Sequence, residues 1–108
     1  MPIFLITLLD PFTHLVTIVY MVLTSEERQE FYAPYLEILR DCRTQAGISQ
    51  TDLAASVSLS AKYVTLVEGG RRTPAVESLL ALMARSGVRR TTAEQMLQEL
   101  MECFEWKE

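Results

Sequence analysis

The sequence predicts a mainly α fold, with five helices around one core, a short helix leading into them, and an apolar N-terminal extension of different character. Three observations carry this. From Thr24 onward, apolar residues recur at three- and four-residue intervals, as in helices buried on one face. Ser, Thr and Asp stand where helices would begin, and Gly47, Gly69-Gly70 and Gly87 stand where they would end. The chain has 108 residues, 49% of them hydrophobic, enough to bury one compact core.

Residues 1–23 are strongly apolar. Asp10, Pro11 and His14 interrupt the run, which argues against a membrane span of about 20 apolar residues. No Lys or Arg precedes Arg28, which argues against a secretory signal. Ile3–Leu9 and Leu15–Leu23, rich in Ile, Val and Thr, read as two strands of a β-hairpin joined by Asp10-Pro11-Phe12-Thr13. A lone hairpin is marginal in water, so it would pair with a second subunit or pack on the helices. The abrupt change of composition also admits a translation start at Met21. Residues 24–108 are expected to form the domain proper.

Thr24-Ser25-Glu26-Glu27 reads as a capping box opening a short helix to about Tyr32. Pro34 is expected to break that helix or to open the next at its first turn. The next helix runs from Tyr35 or Leu36 to Gln45, with Gly47 as its stop. Ser49-Gln50-Thr51-Asp52 reads as a second capping box, for a brief helix from Gln50 to Val57. Ser60 caps the following helix, from Ala61 to about Glu68. Thr73-Pro74 is the expected start of another, ending at Gly87. Thr91-Thr92-Ala93-Glu94 should cap the last, with Met96, Leu97, Leu100, Cys103 and Phe104 as its apolar stripe.

The net charge is −4, but it is unevenly spread. Residues 1–39 carry −4, residues 40–90 carry +4 and residues 91–108 carry −4. Electrostatic attraction acts over about one Debye length, roughly 10 Å, so a local basic face matters more than the total. Cys42 and Cys103 lie far apart and have no His nearby, so they read as free thiols in a reducing cytoplasm rather than a metal site. A redox-sensing pair is the sharper alternative, and no residue favours it. The sequence has no Gly-rich phosphate loop, metal-ligand cluster or nucleophile–base pair, so neither an enzyme nor a cofactor is expected. The acidic patches Glu26-Glu27 and Glu99–Glu102 read as solvated helix faces.

Two short helices joined by a three- to four-residue turn make a helix-turn-helix unit, here residues 50–68. Ala54 is small where the helices must cross, Leu59 can point inward from the turn, and Val64 and Val67 fall on the inner face. The register of Leu39-Arg40, Arg43, Gly47-Ile48-Ser49-Gln50, Leu53-Ala54, Leu59-Ser60, Tyr63-Val64, Val67-Glu68, Gly70, Arg72 and Pro74 resembles the Cro/repressor-like, xenobiotic-response-element-type helix-turn-helix family of transcriptional regulators. The resemblance covers about half the chain and implies a five-helix, lambda-repressor-like DNA-binding domain. One departure is Ser58, where the family has Gly in the turn. A left-handed backbone costs a non-Gly residue about 1 kcal/mol.

The resemblance implies that the second helix of the unit enters the major groove of double-stranded DNA. Ser60, Ala61, Lys62 and Thr65 are then the candidate base contacts. Lys62 can donate to guanine, Thr65 can donate or accept, and Ala61 can touch a thymine methyl. An ordinary solvated lysine is the plainer reading of Lys62. Gln50, Tyr63, Arg71 and Arg72 are the candidate phosphate contacts. Gln50 could instead brace the recognition helix, and Tyr63 could serve packing. The resemblance further implies that Glu68, which would repel phosphate if unpaired, forms a structural salt bridge with Arg43.

One recognition helix reads only a few base pairs, so a homodimer on two half-sites about 34 Å apart is expected. Met96, Leu100 and Phe104 are its candidate interface, unless that stripe is simply core. The leading expectation is a repressor acting by occupancy. The alternative is an antitoxin-type regulator whose main role is to bind a partner protein, a toxin or another regulator.

Overall fold

The computed structural model describes residues 23–104. Five helices follow in order: α1 (Ser25–Gln45), α2 (Gln50–Ser56), α3 (Ala61–Glu68), α4 (Val76–Ser86) and α5 (Arg90–Glu102). The described residues contain no strand. The hairpin expected in residues 1–23 lies outside them apart from Leu23, which precedes α1 as buried coil. No helix among the described residues is long and apolar enough to cross a membrane.

α1 begins in the expected capping box. Glu27 N–H donates to Thr24 Oγ1 (3.1 Å), and Thr24 N–H donates to Glu27 Oε1 (3.0 Å). The helix does not break at Pro34. It runs through it as one element of 21 residues. Proline in a helix interior costs about 3 kcal/mol or more, through the lost bond and a ring clash. The buried stripe offsets that cost, since Tyr32 lies before Pro34 and Tyr35, Leu36 and Leu39 after it. Each such side chain is worth roughly 1.5–3 kcal/mol on full burial. The Phe31 ring bridges the same stretch, with centroids 5.3 Å from Tyr32 and 5.9 Å from Tyr35.

Serine side chains cap the next two helices. Ser49 Oγ accepts from Asp52 N–H (3.0 Å), and Ser60 Oγ accepts from Tyr63 N–H (3.1 Å). α4 starts two residues later than Thr73-Pro74 suggested, with Ala75 at the cap and no side-chain cap bond. Pro74 is instead fully buried, so packing rather than helix initiation accounts for it. α5 likewise starts at Arg90 with Arg89 as its cap, placing Thr91 and Thr92 inside the first turn. Gly87 closes α4 in the left-handed conformation, at φ +85°.

The core joins Tyr35, Leu36 and Leu39 of α1 to Leu53 and Ala54 of α2, Val64 and Val67 of α3, Leu79, Leu82 and Met83 of α4, and Met96 of α5. Leu59 packs against it from the α2–α3 turn. Met96 requires a correction: it was a candidate for a dimer surface, but it is fully buried here. α5 turns this residue toward the other helices, and Ala93 and Leu97 pack beside it. Tyr35 hydroxyl donates to Glu99 Oε1, a second link between α1 and α5. Cys42 and Cys103 are free and half-buried. Burial pushes the Cys103 thiol pKa up, and the charges of Glu102, Glu27 and Glu99 add to this.

Candidate nucleic-acid interface

α2 and α3 are held at the turn by backbone bonds. Leu59 N–H donates to the Ala54 carbonyl at 2.9 Å, and Val57 N–H donates to the same carbonyl at 3.2 Å. Ser58 adopts φ +58°, the left-handed geometry that the helix-turn-helix register demands. With the turn closed, Ala54 and Val64 lie inside, and α3 presents its opposite face outward.

That outer face contains Lys62 and Thr65, both exposed, with Ala61 and Leu66 half-buried beside them. Ser60 is exposed at the helix start, its oxygen engaged in the cap. Beyond the end of α3, Arg71 and Arg72 are exposed. Their backbone N–H groups both donate to the Leu66 carbonyl, at 2.8 and 3.2 Å, which ties the loop back to α3. The Arg72 guanidinium stacks over the Tyr63 ring, 5.1 Å from its centroid. The Tyr63 ring also packs partly against the core.

The acid of α3 faces away from this surface. Glu68 and Arg43 form a two-pronged pair: Arg43 Nε donates to Oε2 at 2.6 Å and Nη2 to Oε1 at 2.9 Å. Arg43 Nη1 donates to the Ile48 carbonyl at 2.7 Å. The Glu68 side chain is 2% exposed and that of Arg43 is 13% exposed. A buried carboxylate is tolerated only when paired and fully hydrogen-bonded, and Gln50 supplies the remaining donor, Nε2 to Oε1 at 2.8 Å.

Gln50 thus braces α2 against α3. An amide nitrogen carries two protons, so this bond uses one of them. Its carbonyl oxygen accepts from Thr65 Oγ1 at 2.6 Å. This last link, between residues 15 apart in sequence, ties Gln50 to the recognition helix, one of the two roles expected of it, with Thr65 as a partner the sequence does not single out. The only sequence signal for it is a Gln in the first turn of α2 facing the outer side of α3.

The result is an exposed face carrying cations and hydroxyls, with the one acid of α3 ion-paired beneath it. Such a face can donate to phosphate and read base edges. Among the described residues, no group of three or more His, Cys, Asp or Glu is placed to hold a metal ion. Against known proteins, a family model described as a helix-turn-helix domain matches residues 37–96. No curated protein and no solved structure matches the chain.

Proposed function

The chain belongs to the helix-turn-helix domain family, and from that premise we propose that it is a sequence-specific DNA-binding transcriptional regulator, a repressor acting by occupancy as a dimer. One observation carries the reading. Of the two charged side chains of α3, Glu68 is buried against Arg43, while Lys62 is exposed. Lys62 is the main base reader, supported by Thr65, Ala61 and Ser60. Arg71 and Arg72 grip phosphate, and Tyr63 orients Arg72. Gln50 holds α3 in place and offers its second amide proton to the backbone.

A dimer doubles the length of DNA read, on half-sites about one helical turn apart. The end of α5 and the turn after it, with Leu100 and Phe104 half-buried and Met101 47% exposed, supply apolar area for it. The same area would suit a partner protein in an antitoxin-type regulator.

Selection of binding sites from random duplex DNA tests the proposal, and an enriched motif is the expected result. On the selected site, Lys62→Ala should cost about 1–3 kcal/mol and relax preference at one position. Arg71→Ala and Arg72→Ala should weaken binding to all sequences, each lowering the salt slope by about 1. Salt-dependent binding with no enriched motif would overturn the sequence-specific reading. Sedimentation at micromolar concentration, with and without the site, tests the dimer.

A further inference from the structure

The hydrogen-bond chain beneath α3 determines how one of its outward residues can speak to a base. Its polarity can be traced from the buried end. Glu68, ion-paired with Arg43, only accepts. The Gln50 group facing it at 2.8 Å must therefore be the amide nitrogen. That orients the Gln50 carbonyl oxygen toward Thr65, at 2.6 Å. A carbonyl oxygen cannot donate, so the Thr65 hydroxyl is the donor in this contact. Among the described residues, the other hydrogen-bond partner of Thr65 Oγ1 is the Ala61 carbonyl at 3.0 Å, again an acceptor. A hydroxyl has one proton, and both of its partners here draw that proton inward.

We infer that Thr65 meets DNA as a hydrogen-bond acceptor only, and so recognises an exocyclic amino group in the major groove, adenine N6 or cytosine N4. The inference rests on the DNA-binding reading above and narrows it. Guanine N7 and O6, adenine N7 and thymine O4 are themselves acceptors, and the oriented hydroxyl has no proton to give them. Gln50 is the positioning residue for this selectivity, and Arg43 and Glu68 fix the orientation of Gln50. The base preference at one position is thereby tied to a pair buried between α1 and α3.

The test uses the full chain and its Thr65→Val variant, which keeps the shape but removes the acceptor. The site is exposed, and a melting curve checks that the variant folds. Selection from random duplex DNA with both proteins identifies the base pair whose preference depends on Thr65. In the selected duplex, the amino group at that pair is then deleted, using purine for adenine or 2-pyrimidinone for cytosine. A parallel duplex lacks the purine N7 through a 7-deaza base.

The native chain should bind the amino-deleted duplex about five- to tenfold more weakly, the scale of one lost hydrogen bond. Thr65→Val should not distinguish it from the intact duplex. Thr65→Ser, which keeps the hydroxyl, should restore the discrimination. Any 7-deaza penalty should be equal in the native chain and Thr65→Val. A 7-deaza penalty that disappears with Thr65→Val would show the hydroxyl donating, and would overturn the inference. So would an enriched motif that Thr65→Val leaves unchanged, which would spare the DNA-binding reading. If neither protein enriches any sequence, that reading fails and the inference fails with it.

Discussion

Two carboxylates tie the long helix α1 to distant parts of the chain, and they are partnered very differently. Glu68 of α3 is 2% exposed and receives three donors, two from Arg43 and one from Gln50. Glu99 of α5 is half-buried and receives the Tyr35 hydroxyl, with a longer contact from Gln95 at 3.3 Å. The first joint sits under the candidate DNA face and is complete. The second joins α1 to the last helix through a single neutral donor. A buried charge must be fully satisfied or it destabilises the fold, whereas a half-exposed one can share its needs with water. The two joints should therefore differ in what their loss costs and in how they respond to pH.

The largest effect is expected at the first joint. Glu68→Ala or Arg43→Ala should each cost about 3 kcal/mol or more, because each leaves the other charge buried and unpaired. The double variant should cost little more than either single one, and denaturant melts of the three would show this. Additive losses would break the comparison, since they would mean that the two charges do not depend on each other.

At the second joint, Tyr35→Phe should cost about 1 kcal/mol at neutral pH. Its signature lies at alkaline pH. Burial, the bond to Glu99 and the charge of Glu99 push the Tyr35 pKa from 10.0 up to about 12. Between these values the folded chain keeps a proton that the unfolded chain has lost. This contribution is fully present below about pH 10 and is lost as pH rises through about 12. Melting temperatures should therefore fall less steeply over that range in Tyr35→Phe than in the native chain. Some slope will remain, because burial also raises the pKa of Tyr32. Identical slopes would remove Tyr35 from the alkaline response.

A smaller change would sharpen the contrast at the turn beside the first joint. Ser58 stands at φ +58°, which costs a non-glycine residue about 1 kcal/mol or more. Ser58→Gly relieves this strain but adds freedom to the unfolded chain. The net expectation is a gain of roughly 0.3–1 kcal/mol, read as a rise in melting temperature. A loss of stability would mean that the serine compensates for its backbone.

What could be read in the sequence follows the same division. The bounds of α3, the start of α2 and the inward Val64 and Val67 follow from local spacing, whereas the strained turn at Ser58 is marked by the family register. Local spacing is what a short two-helix unit is made of. Arg43 and Glu68 could be matched through the family register, because each holds a definite place in it. Tyr35 and Glu99, 64 residues apart, have no such register, and periodicity alone does not say which helix a face will meet. Met96 shows the same limit: its place in an apolar stripe marks it for burial, but not whether by its own chain or by another. Pro34 was misleading because the local cost of proline is visible in the sequence, whereas the buried aromatic and leucine side chains on both sides of it act only once the helices have packed.

That proline has a consequence for how α1 holds together. With no amide proton at residue 34, the carbonyl of Glu30 lacks its helical donor, and the hydrogen-bond ladder has a missing rung. α1 is thus one rod whose ladder is a rung short, and the packing of Phe31 on Tyr32 and Tyr35 spans that gap. The continuity of the helix that carries Arg43 thus depends at this point on side-chain packing as well as on backbone bonds.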